Sequence, residues 1–317
     1  MTAAPPNEEH YVGVELSGTA LRAALVSASG RVVERFEAAL SESEVSQQVA
    51  RAAAQLRDAS PSGVAAVGVG LPGLVNPRTG RVIISSDLPS VVRGDFREEL
   101  RQATGLPVVL DNDANAGAVG EHAVGAGRGS RDMFYVTIGT GIGGAIILDG
   151  RLWRGASGFA GEFGHITIDP EGVECACGNV GCLETVASAP NIVRRTHERL
   201  LRDSTSSLSR LGLTKNFTAA DIAHEARGGD DFALLMIERT GRYIGTAVAA
   251  VINLLNIERV VLGGGVMDAG ELILNPIIRE AGRRSFQPCF ESTQILAASL
   301  GADAVPIGAA LLARDAR

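Results

Sequence analysis

The fold is decided by residues 133–150, MFYVTIGTGIGGAIILDG. An apolar strand leads into a glycine-rich turn, a second apolar strand follows, and Asp149-Gly150 is a hairpin turn signal. Residues 11–26, YVGVELSGTALRAALV, repeat this order around the turn Ser17-Gly18-Thr19. The two matched strand–turn–strand openings predict that the chain consists of two related halves.

The two glycine-rich turns are candidate phosphate sites. Each exposes several backbone N–H groups and a threonine hydroxyl, which suit phosphate oxygens, although either one alone is also compatible with an ordinary tight turn. The second turn satisfies G-x-G-x-x-G, but a dinucleotide-binding fingerprint opens a helix, whereas this turn continues into a strand. We therefore predict that both turns bind phosphate. The residues assigned to them are Ser17, Gly18, Thr19, Gly139, Thr140, Gly141 and Gly143.

Between the two openings the pattern alternates helices and strands. A helix is predicted over Ser43–Leu56, a strand over Val64–Val69, and a strand over Leu106–Asp111 ahead of an Ala-rich helix at Asn112–Val124. Asp111-Asn112-Asp113 thus stands at the end of a strand, where α/β folds place ligand-binding groups. The same residue types are normal helix caps, so these positions alone are compatible with a cap or a catalytic base.

One histidine and three cysteines form the most specific motif of the chain. His165, Cys175, Cys177 and Cys182 fall within eighteen residues and match the Cys3His set of structural zinc sites. A group of reduced, buried cysteines is the alternative, as we expect for the distant Cys289. Four protein ligands leave no open position for water, so the predicted zinc is structural.

Composition and charge exclude several classes of protein. The 317 residues, 45% of them hydrophobic, suffice for about two domains. A formal net charge of −7 is the wrong sign for electrostatic binding of nucleic acid, so no such partner is expected. Lys215 is the single lysine, which excludes a Walker-type phosphate loop. Apolar stretches are shorter than the roughly 18 residues of a membrane span and no signal-peptide pattern opens the chain, so we expect a soluble, cytoplasmic protein without a membrane partner.

Six motifs together resemble the ROK family of sugar kinases and related repressors, especially its bacterial ATP-dependent glucokinases. They are VELSGT, LDNDANAGAVGEHAVGAG, VTIGTGIGGAI, GFAGEFGHITI, CACGNVGCLE and VVLGGG, and the resemblance runs from about Tyr11 to Ala313. It implies an α/β protein with the actin-like ATPase (ribonuclease-H-like) fold, in which two α/β domains flank a nucleotide and sugar cleft. We expect a smaller domain over 1–115 plus the C-terminal helix at about 303–317, and a larger domain with the zinc-binding loop over 116–302.

The resemblance also implies an activity, ATP-dependent phosphorylation of a hexose at its 6-hydroxyl, with glucose as the leading substrate. By the family's pattern Asp113 is the general base, and the adenosine-side loop is Gly263, Gly264 and Gly265. The implied cofactors are structural Zn²⁺ and Mg²⁺ bound with ATP, and Glu15 would reach the Mg²⁺ through water. The implied partners are hexose and ATP in a homo-oligomer, a dimer or tetramer. The residues that match the sugar-binding positions are Asn112, Glu162, His165, Glu184, Gly73 and Asp87.

The chain departs from the family's pattern at two places. The family's first phosphate turn usually reads Asp-x-Gly-Gly-Thr-Lys, whereas this chain has Glu15-Leu16-Ser17-Gly18-Thr19-Ala20, and Ser86-Asp87 stands where glucokinases have Asn before an apolar residue and Pro. The alternatives are therefore a catalytically weak sugar-binding protein, a kinase for an N-acetylhexosamine, mannose or fructose, and polyphosphate as donor in place of ATP. A sugar-sensing repressor is disfavoured, because the segment before Tyr11 has no room for a winged helix.

Overall fold

A computed structural model describes residues 8–76, 78–200, 205–211 and 216–317 of the chain. The strands are β1 (His10–Leu16), β2 (Ala20–Ser27), β3 (Val32–Ala39), β4 (Val64–Leu71), β5 (Leu74–Asn76), β6 (Arg81–Ile84), β7 (Val108–Asn112), β8 (Met133–Ile138), β9 (Ile142–Leu148), β10 (Arg151–Trp153), β11 (Arg259–Gly263) and β12 (Gln294–Ala297). The helices are α1 (Val45–Asp58), α2 (Phe96–Thr104), α3 (Asp113–Val124), α4 (Glu184–Ala187), α5 (Ala189–Leu200), α6 (Ser207–Leu211), α7 (Ala219–Arg227), α8 (Asp231–Leu255), α9 (Glu271–Arg284), α10 (Gln287–Glu291) and α11 (Ala304–Asp315).

Two five-stranded sheets share one strand order. The first is β3-β2-β1-β4-β7 and the second is β10-β9-β8-β11-β12. In the first sheet β1 to β3 pair antiparallel, and β4 is parallel to both β1 and β7. In the second, β9 and β10 are antiparallel, and β11 is parallel to both β8 and β12. Counted within each sheet, the order is third, second, first, fourth, fifth, which confirms the predicted duplication.

Successive side chains of a strand point to opposite faces of its sheet. In the first sheet apolar side chains lie on both faces, so both faces are covered. Val12, Val14 and Leu16 of β1 belong to one core with residues of α1 and α2, whereas Tyr11 belongs to a second core with α11. The approach of α11 to the sheet requires glycine. A Cβ on Gly13 would lie 1.7 Å from the Pro306 carbonyl oxygen.

The long helix α8 carries much of the core that follows the second opening. Its buried residues include Ile244, Val248 and Ile252. It begins at Asp231, where the Asp230 side chain accepts a hydrogen bond from the Ala233 N–H at 2.8 Å and satisfies one of the free amides of the first turn. Among the helices in the described part of the chain, none has both the length and the apolar character needed to cross a membrane.

The chain divides into two compact units. The first unit consists of Met1–Gly129, Ala145–Gly161 and Ser299–Arg317, and the second of Ser130–Gly144 and Glu162–Ala298. This division differs from the boundaries expected from the sequence, because it assigns all of α3 to the first unit, where α3 packs against α11. The sequence-based domains, 1–115 with 303–317 and 116–302, stay a prediction.

Candidate functional site

The junction of β7 and α3 holds the two polar residues Asn112 and Asp113. Asn112 caps α3, because its Oδ1 accepts the Asn115 N–H at 3.2 Å, and its Nδ2 donates to the Gly73 carbonyl oxygen at 3.1 Å. Asp113 begins the helix, and its Oδ1 accepts the Ala114 N–H at 2.8 Å. Burial raises the pKa of Asp113, and the nearby charge of Asp87 adds to the rise. A carboxylate of raised basicity thus lies at the junction of β7 and α3, which hydrogen bonds hold in place.

Asp111, the other carboxylate of this motif, is fully engaged. Its Oδ1 accepts the Asn112 N–H at 2.8 Å and the Asn115 Nδ2 at 2.8 Å. Its Oδ2 accepts Arg154 Nε at 3.1 Å and Arg154 Nη2 at 2.5 Å. A carboxylate that is buried and bonded in this way is a structural anchor, so of the two acids only Asp113 is placed to accept a proton from a ligand.

The first glycine turn is closed by its own serine. The Ser17 N–H donates to the Ala20 carbonyl oxygen at 2.9 Å, and the Ser17 Oγ accepts the Ala20 N–H at 3.0 Å. A Cβ on Gly18 would lie 3.6 Å from the Cβ of Asp87, so the turn approaches the predicted sugar-binding residue Asp87. Gly18 and Thr19 stay accessible. The turn is therefore compact, and its exposed part faces the neighbourhood of Asp87.

Glu15, at the end of β1, lies beside this turn. Its Oε2 is 3.2 Å from Arg22 Nη1 on the adjacent strand, in direct cross-strand register. Burial raises the pKa of Glu15, and although Arg22 opposes the rise, the charge of Asp113 adds to it. Glu15 and Asp113 are thus close enough to interact. In the described part of the chain its Oε1 makes no hydrogen bond, so one carboxylate oxygen can accept a bond from a metal-bound water.

In the second unit Glu184 lies against the other glycine turn. Its Oε2 accepts the Ile142 N–H at 2.9 Å, and the Gly139 carbonyl oxygen accepts the Ala189 N–H at 2.8 Å. A Cβ on Gly141 would lie 2.8 Å from the same Oε2, so a larger residue here would displace the Glu184 carboxylate. The exposed residues of the turn are Thr140 and Gly141. Glu184, predicted only to bind sugar, therefore also supports the second glycine turn.

The predicted zinc ligands come together. The ligand atoms of His165, Cys175, Cys177 and Cys182 all lie within 4.8 Å of one another. The Cys175 Sγ is 3.8 Å from His165 Nδ1, and the Cys177 and Cys182 Sγ atoms are 3.7 Å apart. A tetrahedral site with Zn–S bonds of about 2.3 Å requires sulfur atoms about 3.8 Å apart, so the donor set fits Zn²⁺.

The environment of the thiols agrees with metal binding. Burial and the neighbouring sulfurs raise the pKa of Cys182 to about 12, and burial also raises the pKa of Cys175. The pKa of Cys177 is lowered, chiefly by the N–H of Asn179. A buried thiolate without a counter-charge is unfavourable, and a bound divalent cation would supply that charge.

His165 has its two ring nitrogens in different surroundings. It ends a short 3-10 turn, Phe163–His165, which Glu162 precedes. Its Nδ1 faces the cysteines, while its Nε2 lies 3.9 Å from Glu162 Oε2. One nitrogen can therefore bind the metal while the other serves a ligand beside Glu162.

Gly263, Gly264 and Gly265 follow strand β11 of the second unit. A Cβ on Gly264 would lie 2.5 Å from the backbone of Ile138, and its φ of 88° also favours glycine. Gly265 lines a cavity of about 90 Å³ together with Ile192, Ala223 and Val266. A small, mostly apolar cavity thus lies beside the predicted adenosine-side loop.

The residues expected from the sequence are divided between the two units. The first unit holds Glu15, Ser17, Gly18, Thr19, Gly73, Asp87, Asn112 and Asp113, and the second holds Gly139, Thr140, Gly141, Gly143, Glu162, His165, Cys175, Cys177, Cys182, Glu184, Gly263, Gly264 and Gly265. Sequence reasoning missed Arg22 and Arg154. No spacing or motif marks either arginine, since each is defined only by the carboxylate that it meets.

Comparisons with known proteins show what the chain is similar to. The family model described as "ROK family" matches residues 11–316. A glucokinase of Halalkalibacterium halodurans is 35% identical over 98% of this chain and 96% of its own. A ROK family glucokinase from Streptomyces griseus, solved with glucose and AMPPNP, is 35% identical with a TM-score of 0.86 and covers 96% of this chain and 99% of its own. A xylose repressor of Caldicellulosiruptor bescii is 33% identical over 78% of this chain and 62% of its own. The actin-like ATPase fold class inferred from the sequence is confirmed.

Proposed function

Because the chain belongs to the ROK family, we propose that it is an ATP-dependent glucokinase with Asp113 as its general base. The observation that carries the role of Asp113 is the β7–α3 corner, where burial raises the pKa of this carboxylate while Asp111 is occupied by Arg154 and Asn115. A general base must be basic enough to accept a proton, and burial shifts the pKa of this carboxylate in that direction.

The proposed reaction is direct phosphoryl transfer. The glucose 6-hydroxyl oxygen attacks the γ-phosphorus of ATP, the bond from that phosphorus to the β,γ-bridging oxygen breaks, and Asp113 takes the hydroxyl proton. The products are glucose 6-phosphate and ADP. Such a reaction depends on positioning and on charge stabilisation rather than on a covalent enzyme intermediate.

The sugar is proposed to bind to residues that carry hydrogen-bonding side chains. Asn112 and Asp87 in the first unit, and Glu162, His165 and Glu184 in the second, carry the amide, carboxylate and imidazole groups that sugar hydroxyls require. Gly73 acts on Asn112, because its carbonyl oxygen accepts the Asn112 amide and fixes its orientation.

The nucleotide is proposed to bind to the glycine turns. Backbone N–H groups of the two turns and the Thr19 and Thr140 hydroxyls would hold phosphate oxygens, and Gly263–Gly265 would lie on the adenosine side. Glu15 would accept a hydrogen bond from a water on the Mg²⁺ that accompanies ATP. Bound Mg²⁺ supplies neutralisation of the phosphate charge.

The zinc site is proposed to be structural, held by His165, Cys175, Cys177 and Cys182. With four protein ligands the metal would hold its loop closed and supply no reactive water. Glu184 follows two residues after Cys182, so a fixed loop also fixes the carboxylate that supports the phosphate turn.

A coupled assay of ADP release tests the proposal. The purified protein, with zinc retained and Mg²⁺ present, is given ATP or polyphosphate and a panel of glucose, mannose, fructose, N-acetylglucosamine and N-acetylmannosamine. Turnover with ATP that is highest on glucose is expected. Turnover highest on another sugar would reassign the substrate, and silence from the folded, zinc-loaded protein would contradict the proposal in favour of a sugar-binding protein. The cytoplasmic location and the homo-oligomeric state stay predictions.

A further inference from the structure

The ion pair between Arg154 and Asp111 is the starting observation. Asp111 is 4% exposed, and both Nε and Nη2 of Arg154 donate to its Oδ2, at 3.1 Å and 2.5 Å. Both residues belong to the first unit. A buried carboxylate without its partner is strongly unfavourable, so the geometry of Asp111 depends on the guanidinium.

The other oxygen of Asp111 holds both sides of the proposed base. Oδ1 accepts the backbone N–H of Asn112, which precedes Asp113, and the Nδ2 of Asn115, two residues after it. Asn112 in turn caps α3 through the Asn115 N–H. The corner from Asn112 to Asn115 is therefore fixed through one carboxylate, and that carboxylate is held by Arg154.

The backbone of Arg154 also makes a hydrogen bond, which closes the loop after β10. Its carbonyl oxygen accepts the Ala160 N–H at 3.0 Å, which closes a loop that begins directly after β10. Gly155, Gly158 and Gly161 of this loop have positive φ values of 72°, 97° and 100°. Glu162 follows Gly161 in the chain, so Arg154 starts the segment that leads to a proposed sugar-binding residue.

We propose that Arg154 is a positioning residue for phosphoryl transfer, which sets the place of Asp113 through Asp111 without touching the substrate. The inference rests on the proposed function. Loss of the guanidinium moves the corner and leaves a negative charge near Asp113. A displacement of about 1 Å costs on the order of a hundredfold in rate.

Steady-state kinetics of two Arg154 variants and one matched control test the inference. Arg154→Gln is expected to lower kcat by about ten- to a hundredfold with an unchanged KM for ATP, and Arg154→Lys, which keeps the charge but has a single donor group, to lose less. The matched control is Arg151→Gln, an exposed arginine on β10, which is expected to have wild-type kcat. Each kcat is calculated per glucose-binding site, with the concentration of sites measured by calorimetry. Misfolded protein therefore does not lower the measured kcat.

The pH profile separates positioning from a merely structural role. In Arg154→Gln the uncompensated Asp111 charge raises the pKa of the base, so the acid limb of kcat moves to higher pH. The double variant Arg154→Gln/Asp111→Asn removes that charge, and its acid limb is expected to return toward wild type. The single variant Asp111→Asn completes the set. The inference would be overturned if the loss of kcat in the double variant equals the combined losses of the two single variants and the acid limb does not move.

The outcomes also separate this inference from the proposed function. Wild-type turnover together with an unchanged kcat in Arg154→Gln would overturn the role of Arg154 alone. A wild-type protein that lacks turnover would overturn the proposed function. The role of Arg154 is then decided by glucose affinity, which the change should weaken several-fold because Asn112 lies on the same corner, and an unchanged affinity would overturn it.

Discussion

Glu121 offers a direct test of how the first unit is held together. Its side chain is buried in α3, and its Oε1 accepts the N–H groups of Ser299 at 2.9 Å and Leu300 at 2.8 Å. Its Oε2 accepts the Ala126 N–H at 2.7 Å and the Ser299 hydroxyl at 3.3 Å. One carboxylate thus joins the end of α3 to the segment that precedes α11.

Replacement of Glu121 by Gln keeps the shape but exchanges one acceptor oxygen for an NH2 donor. In the better of the two amide orientations the Ala126 N–H faces that donor and loses the Glu121 acceptor, which costs about 1–3 kcal/mol. The bonds that remain lose the charge of the acceptor, a further loss of about 1 kcal/mol. We expect the free energy of unfolding to fall by about 3 kcal/mol, which corresponds to a Tm lowered by about 6–12 °C for a unit of this size.

Thermal unfolding followed by circular dichroism is the assay, with Glu291→Gln as the matched control. Glu291 is exposed and accepts a hydrogen bond from Gln287 at 2.7 Å, which an amide oxygen can still accept. The control is expected to stay within about 0.5 kcal/mol of wild type. A Glu121→Gln variant with the same Tm as its control would refute the idea that this carboxylate joins α3 to the segment before α11.

Three further outcomes follow from the site. Because burial raises the pKa of Asp113, the acid limb of the pH profile of kcat should lie above the ordinary pKa of an Asp carboxyl, about 3.9. The rate should rise as pH increases through this limb. An acid limb at or below that value would contradict the assignment. Chelation of the metal, or Cys182→Ser, should raise the KM for glucose and loosen the loop, as measured by kinetics and limited proteolysis, and a zinc-free protein with unchanged KM and proteolysis would exclude this role. Gly141→Ala should raise the KM for ATP about tenfold, since the added methyl meets Glu184 at 2.8 Å, and Gly139→Ala, with nothing within 4 Å of its Cβ, should have the smaller effect; the reverse order would exclude the Glu184 contact as the cause.

Local patterns explain why so much of the site could be predicted. The four predicted zinc ligands lie within one short segment, so their spacing alone brings them together. The glycine turns are each flanked by their own strands, and the two sheets repeat one order because the two openings have the same sequence pattern. The place of Asp113 follows from a strand that ends where a helix begins.

Long-range contacts explain what could not be predicted. Arg154 and Asp111 are 43 positions apart, and Glu121 and Ser299 are 178 apart. No local period relates such residues, so their pairing appears only once the chain is folded. Helix α9 is difficult to predict from local pattern, because Pro276 lies inside it and proline disfavours a helix interior, although the helix continues on both sides.

The central claim is that Asp113 takes the proton during phosphoryl transfer, and Asp113→Asn tests it most directly. Because the pKa of Asp113 is raised on folding, its contribution to stability is fully present below the unfolded pKa and is lost as pH rises through the folded pKa. Near pH 7 the Asp113→Asn variant should therefore melt at the same temperature as wild type or at a higher one. We predict that kcat with glucose and ATP falls by about 10²–10⁴-fold while calorimetry shows glucose affinity close to wild type. A folded Asp113→Asn protein that binds glucose and keeps kcat within tenfold of wild type would contradict the account.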